Sequence, residues 1–216
     1  MDELIKSFYA NRDPQRAVGM AAYMKNQFSF LGISRPDRSL LQKDFIKRVR
    51  RQGEVDWQDV YRLWDLPERE FQYLALDYLV ALKDSLQPED IYHLQTLILM
   101  KSWWDTVDKL AAIPVGSICL QHPEVVQNCL LPWADSDNIW LARTAILYQL
   151  KFKSSTDTEV LSSIIEKNTN SKEFFINKAI GWALREYSKT DREWVREFVN
   201  THTLAPLSVR EASKYL

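Results

Sequence analysis

Helical periodicity runs through this chain from end to end, and it restricts the fold more than any other feature. Apolar residues recur at three- and four-residue spacing in segment after segment, and no stretch shows the alternation of a half-buried strand. Glycine is rare, and prolines stand at helix starts, as in Asp13-Pro14 and Pro88-Glu89. The pattern predicts helices over Asp2–Ala10, Pro14–Gln27, Asp37–Arg51, Trp57–Leu63, Glu68–Leu82, Pro88–Met100, Ser102–Ala112, Val115–Leu120, Pro123–Leu131, Asp137–Leu150, Thr158–Asn168, Lys172–Tyr187, Asp191–Asn200 and Ser208–Tyr215.

Short helices joined by short linkers are typical of a helical-repeat solenoid. Self-similarity between the segments is weak, so the repeats are expected to be degenerate. The sequence therefore predicts an all-α chain, a curved solenoid forming a single domain over residues 1–216. The concave surface of such a solenoid is used by protein scaffolds and by nucleic-acid binders alike, so the architecture alone does not give the function.

Residue usage narrows the classes of function. Cys119 and Cys129 lie in apolar helical contexts and are predicted to be reduced core residues. The histidines are scattered without metal-ligand spacing, and neither a phosphate-binding glycine loop nor a nucleophile elbow is present. We therefore expect no metal and no cofactor. No apolar run reaches transmembrane length, which predicts a soluble, cytoplasmic protein without a membrane partner, most simply a monomer.

Charge is unevenly distributed although the formal net charge is only −1. Seven basic and two acidic residues lie between Arg35 and Arg51, whereas ten acidic and three basic residues lie between Glu54 and Asp90. The basic run includes Arg38, Lys43 and Lys47, which are candidates for contact with nucleic-acid phosphates. A solvated helix face is the alternative interpretation.

The segment KSWWDTVDKL, residues 101–110, carries more chemistry than packing requires. Ser102 and Asp105 have the spacing of a capping box, and Asp105 stands four residues before Lys109, so Asp105 has a structural role. Asp108 has no such role, and it shares a helix stripe with Trp104. Asp108 is therefore a candidate catalytic carboxylate, with an ordinary solvated side chain as the alternative.

Two further helices contain residues that apolar packing does not explain. Arg143 has apolar neighbours at three- and four-residue spacing, so it needs either an internal carboxylate such as Asp108 or a bound phosphate. Trp182 stands between Lys178 and Arg185, which suits contact with a sugar or base beside phosphates. Packing between repeats is the alternative for this tryptophan.

Four segments together resemble the DNA alkylation repair family of AlkD-like DNA glycosylases, which are arrays of HEAT-like repeats. The segments are YMKNQFSFLGISRPDR, SWWDTVD, WLARTAIL and FINKAIGWALREYSKTDREWV, and the likeness spans nearly the whole chain. The resemblance implies base excision repair, with removal of positively charged alkylated purines such as N3-methyladenine and N7-methylguanine from duplex DNA. By motif, Asp108 matches the catalytic aspartate of the family, Trp104 and Trp182 the cleft tryptophans, Arg143 the active-site arginine, and Tyr23 an aromatic of the N-terminal motif.

The implied chemistry agrees with the residues that are present. An alkylated purine is already cationic, so it leaves without protonation and no general acid is needed. A fixed carboxylate can stabilise the developing oxocarbenium ion and orient the attacking water. The alternative is a non-catalytic helical-repeat module that binds DNA structure or a protein partner, since its repeats and basic patches would look the same.

Overall fold

The computed structural model describes residues 1–216, and every regular element in it is helical. The predicted all-α class is confirmed, and the succession of short helices is that of a helical-repeat protein. The α-helices are α1 Asp2–Ala10, α2 Pro14–Tyr23, α3 Arg35–Leu41, α4 Lys43–Gln52, α5 Trp57–Asp65, α6 Arg69–Ala81, α7 Asp90–Leu99, α8 Trp104–Leu110, α9 Gly116–Gln121, α10 Leu131–Ala134, α11 Ile139–Leu147, α12 Thr158–Asn168, α13 Phe174–Tyr187, α14 Arg192–Thr201 and α15 Pro206–Ala212.

Several helix boundaries differ from the predictions, and two of these differences concern helices α2, α3 and α4. The predicted helix Asp37–Arg51 is two helices, α3 and α4, which meet at the buried Gln42. The Gln42 side chain donates a hydrogen bond to Asp77 of α6 at 2.7 Å, so a tertiary contact marks the break. Helix α2 ends at Tyr23 because Lys25 and Asn26, with φ of 57° and 56°, adopt the left-handed conformation.

Pro114 shapes the chain that follows α8. A proline cannot donate a backbone hydrogen bond, and its ring collides with the carbonyl four residues earlier in an α-helix. The backbone widens into a π-helical turn over Ala111–Val115, which accommodates the ring and leads directly into α9. The helix predicted over Ser102–Ala112 therefore ends at Leu110.

The chain divides into two compact units, Met1–Leu86 and Gln87–Leu216. The prediction of a single domain over residues 1–216 stays a prediction. None of the helices combines the length and the apolar character that crossing a membrane requires. Cys119 and Cys129 are buried and free, as predicted.

A buried glutamate organises the first unit around the segment FLGI. Glu70, in α6, accepts backbone N–H bonds from Leu31, Gly32 and Ile33 at 2.9, 2.9 and 3.2 Å. Gly32 has a φ of +87°, and a Cβ there would lie 2.0 Å from the Asp13 carbonyl oxygen, so only glycine fits. The N-terminal motif that contributed to the resemblance is therefore structural at these positions.

In the second unit, α15 packs closely against α13 through a small-residue contact. A Cβ on Gly181 would lie 2.5 Å from the Cβ of Glu211 and 2.8 Å from the Ser208 carbonyl oxygen. The Ser208 hydroxyl donates to the Asn177 carbonyl at 2.8 Å. Helix α15 therefore supports one side of α13, the helix that carries Trp182.

Candidate active site

Helix α8 begins differently from the predicted capping box. The N-terminal cap is Trp103, which makes no side-chain cap bond, and the Ser102 hydroxyl donates instead to the Ile98 carbonyl at 2.6 Å. The proposed cap at Ser102 is therefore wrong, because this hydroxyl bonds back to the end of α7. Val107 and Leu110 are fully buried and face the core, while Asp108 lies one turn beyond Trp104.

Asp108 forms a two-point ion pair with Arg143 of α11. Arg143 Nε donates to Asp108 Oδ1 at 2.7 Å, and Arg143 Nη2 donates to Oδ2 at 2.9 Å. Arg143 Nη1 donates to the carbonyl oxygen of Phe175. Of the two partners that the sequence left open for Arg143, the structure shows the internal carboxylate.

Burial and pairing act in opposite directions on Asp108. Its side chain is only 14% exposed, and this burial raises the pKa of the carboxyl, while the hydrogen bonds from Arg143 favour the ionised form. The arginine side chain is only 4% exposed, so the ion pair is largely shielded from solvent. The result is a carboxylate with fixed orientation at the edge of a low-dielectric region, an arrangement that suits stabilisation of a nearby positive charge.

Three aromatic rings that the sequence did not bring together contact one another, and one of them, Phe175, lies beside Arg143. Trp103, Trp140 and Phe175 contact one another, with ring centroids 5.8 Å apart for the two tryptophans and 5.2 and 5.1 Å from each tryptophan to the phenylalanine. We refer to them as the aromatic triangle. None of the three residues was predicted from the sequence to belong to the site.

The two tryptophans predicted to line a cleft are half-buried and belong to two helices that both pack against α11. Trp104 is the first residue of α8, and Trp182 lies in α13, two helical turns or roughly 10 Å beyond Phe175 on the same face. Helix α11 packs against both α8 and α13. The structure thus brings together Asp108, Arg143 and the helices that carry both tryptophans.

Lys178 and Arg185 have an internal partner that the sequence did not indicate. Lys178 Nζ lies 2.8 Å from Glu211 Oε1, and Arg185 Nη1 lies 2.7 Å from Glu211 Oε2. Lys214 Nζ joins the same carboxylate at 2.8 Å. Hydrogen bonds from Lys178 and Lys214 lower the pKa of Glu211 to about 2. Both cations are already ion-paired with Glu211. Their predicted contact with DNA stays a prediction.

Replacing Glu211 with Gln is expected to lower the free energy of unfolding near neutral pH by about 2–3 kcal/mol, because three cations lose their shared carboxylate. The folded-state pKa of Glu211, about 2, lies below the ordinary value of 4.5, so this stabilisation is present above pH 4.5 and is lost as the pH falls towards 2. Urea unfolding at neutral and acidic pH measures the difference. Glu193→Gln, in an exposed ion pair, is the control. A Glu211 effect of equal size at both pH values would contradict this account.

The site residues predicted in the first unit differ in exposure. Arg38 is buried, lies 3.8 Å from Asp77 and stacks 4.7 Å from the centre of the Tyr73 ring. The Arg38 side chain is thus held inside the first unit, and its predicted contact with a phosphate stays a prediction. Tyr23 is 69% exposed at the end of α2.

The α4 groove is defined by Lys43, Lys47, Arg50 and Arg51, together with Ser39, Gln42 and Ile46. No carboxylate lies among the residues that line it. All four cations are exposed. A surface of this kind suits a polyanion, although the contact of Lys43 and Lys47 with DNA stays a prediction.

The fold and the geometry of the site define a class of protein. It is an all-helical protein with a buried carboxylate–arginine pair on helices that also carry, or pack against, partly exposed tryptophans. The family model described as DNA alkylation repair enzyme matches residues 4–216, so the chain belongs to that family. A solved structure of similar fold is that of a predicted DNA alkylation repair enzyme from Enterococcus faecalis, with 34% identity, a TM-score of 0.87, and coverage of 95% of this chain and 96% of that chain. No match was found among curated proteins. The recognition of the family from four sequence segments is confirmed.

Proposed function

We propose that this chain is a monofunctional DNA glycosylase that removes positively charged alkylated purines, such as N3-methyladenine and N7-methylguanine, from duplex DNA. The observation that carries the proposal is the Asp108 carboxylate, which two hydrogen bonds from Arg143 hold in one orientation one turn from Trp104. Membership of the DNA alkylation repair family supports DNA as the substrate.

The proposed reaction needs a negative charge but no proton donor. The cationic base leaves with the electron pair of the glycosidic bond and becomes neutral, while the deoxyribose becomes an oxocarbenium ion. Asp108 stabilises this ion electrostatically, and water then attacks the anomeric carbon and loses its proton to the carboxylate or to solvent. Arg143 orients the Asp108 carboxylate, and Trp104 and Trp182 contact the sugar and the backbone of the DNA.

The direct test is release of free base from methylated duplex DNA by the purified protein, acting as a monomer without an added cofactor. We expect N7-methylguanine or N3-methyladenine in the supernatant and abasic sites in the DNA, without strand cleavage by the protein. An absence of base release at protein concentrations that saturate the DNA would overturn the proposal.

A non-catalytic DNA-binding module is the second candidate, and one observation favours it. Both Asp108 oxygens accept hydrogen bonds from Arg143, as in a structural ion pair. In that case the protein would bind methylated duplex DNA without releasing any base. Binding and release measured on the same DNA separate the two functions.

The α4 groove provides a test of DNA contact that is independent of chemistry. Replacing Lys43, Lys47, Arg50 and Arg51 with Gln is expected to weaken binding to undamaged duplex at least tenfold, and to reduce the slope of log affinity against log salt by about 3–4. The matched control replaces four cations of the same unit that are already ion-paired with carboxylates: Lys6, Arg16, Arg62 and Lys83. Equal losses of DNA affinity for the two variants would show that binding depends only on the net charge of the protein and not on the α4 groove.

A further inference from the structure

The aromatic triangle joins the beginnings of the three helices that carry the candidate site. Trp103 directly precedes α8, Trp140 is the second residue of α11, and Phe175 is the second residue of α13. These helices carry Asp108, Arg143 and Trp182 respectively. Because each ring contacts the other two, the triangle fixes the three helix ends against one another.

Phe175 also contacts the Arg143 guanidinium group in two ways. Its carbonyl oxygen accepts the hydrogen bond from Nη1, and its ring centroid lies 5.8 Å from Cζ. The remaining two nitrogens of Arg143 donate to Asp108. The guanidinium group is therefore held from both sides, by the carboxylate on one and by Phe175 on the other.

We propose that Phe175, itself held by Trp103 and Trp140, is a positioning residue that fixes Arg143 against Asp108 and so sets the orientation of the carboxylate. The inference rests on the proposed function, because the carboxylate that it orients is the one that faces the sugar. The aromatic triangle is then part of the catalytic apparatus without contacting the reacting atoms.

The geometry distinguishes this role from simple filling of the core. The Phe175 ring makes a T-shaped contact with Trp103 and a tilted contact with Trp140, and it also lies near the guanidinium group. A branched aliphatic side chain has no aromatic ring for these contacts. Arginine loses the geometry of its two parallel hydrogen bonds once the guanidinium plane can rotate. A small misplacement of a catalytic group costs far more in rate than in stability.

The test compares Phe175→Leu with Phe175→Tyr, which retains the ring, and with Phe198→Leu as a packing control. Phe198 is buried in α14 between the rings of Trp194 and His202, in a separate aromatic stack. Three quantities are measured for each variant: the single-turnover rate of N7-methylguanine release against pH, the thermal unfolding temperature, and the pKa of the Asp108 carboxyl by carbon-13 NMR titration.

We expect Phe175→Leu to slow base release about tenfold or more near neutral pH and to raise the Asp108 pKa, because a loosened Arg143 favours the ionised carboxyl less. The acid limb of the rate profile moves to higher pH by the same amount. Phe175→Tyr restores most of the rate and the lower pKa. Phe198→Leu lowers the unfolding temperature but leaves the Asp108 pKa and the rate profile unchanged.

An Asp108 pKa in Phe175→Leu that equals the value in Phe198→Leu would overturn the inference. If the wild-type protein released no base, the proposed function would fail instead. The NMR titration of Asp108 would still decide whether Phe175 positions the ion pair, because that readout does not depend on catalysis.

Discussion

Asp108→Asn is expected to reduce base release from methylated duplex DNA by about 100- to 1000-fold while DNA binding is retained. Removing one preorganised group that stabilises transition-state charge typically has an effect of this size. The asparagine keeps the shape of the side chain but loses the negative charge that opposes the developing oxocarbenium ion. Single-turnover release and binding are measured on the same DNA.

Asp105→Asn is the matched control for this prediction, because it makes the same chemical change one turn earlier on α8. We expect its rate of base release to remain within a few-fold of wild type. Circular dichroism establishes that both variants are folded. Unchanged release by Asp108→Asn would exclude Asp108 as the catalytic carboxylate and with it the proposed mechanism.

Arg143→Met is expected to have the largest combined effect on activity and stability. It leaves the Asp108 carboxylate buried without its partner, and breaking a buried ion pair in this way costs about 3–5 kcal/mol. Because the two hydrogen bonds from Arg143 favour ionised Asp108, their loss raises the pKa of Asp108 further above its ordinary value. The acid limb of the base-release profile then moves to higher pH, and release at neutral pH falls.

The stability of this variant should also depend on pH in a defined direction. A carboxyl whose pKa is raised in the folded state binds its proton more tightly there, so its ionisation costs folding free energy that is fully present above the raised pKa and shrinks as the pH falls towards the ordinary value of 3.8. The free energy of unfolding of Arg143→Met should therefore fall furthest below the wild-type value at neutral pH. The difference should shrink as Asp108 is protonated. Urea unfolding from pH 4 to 8 measures it. Arg143→Lys, which keeps the charge but not the two-point geometry, should lose less stability. A loss of stability that does not change with pH would contradict the assigned ion pair between Asp108 and Arg143.

Much of the fold could be predicted from the sequence because helical periodicity and capping are local signals. The bounds of α1 and α12 agree with the prediction to the residue. The break at Gln42 and the π-helical turn at Pro114 were not predicted, since the first coincides with a contact to Asp77 and the second with adjustment of the backbone around a ring. Local patterns contain no information on such contacts.

The candidate site was predictable in part for the same reason. Asp108 stood out because no local partner was available for it, and Arg143 because its neighbours were apolar. Sequence spacing could not decide between an internal and an external partner for Arg143. The aromatic triangle and the glutamate that binds Lys178 and Arg185 were missed, because their members meet only after distant helices pack. Arg38 and Lys43 also belong to the same basic run, yet only packing determines that the first is buried and the second exposed.

The close contact of α15 with α13 has a consequence for how the protein matures during synthesis. Helix α13 leaves the ribosome before residues 206–212, so the groove beside Gly181 is open until α15 arrives. Until then Lys178 and Arg185 lack their shared carboxylate, and the helix that carries Trp182 lacks one supporting side. The nascent chain therefore acquires Asp108 and Arg143 well before α13 is fixed in place, and formation of the site is completed only after α15 has been translated.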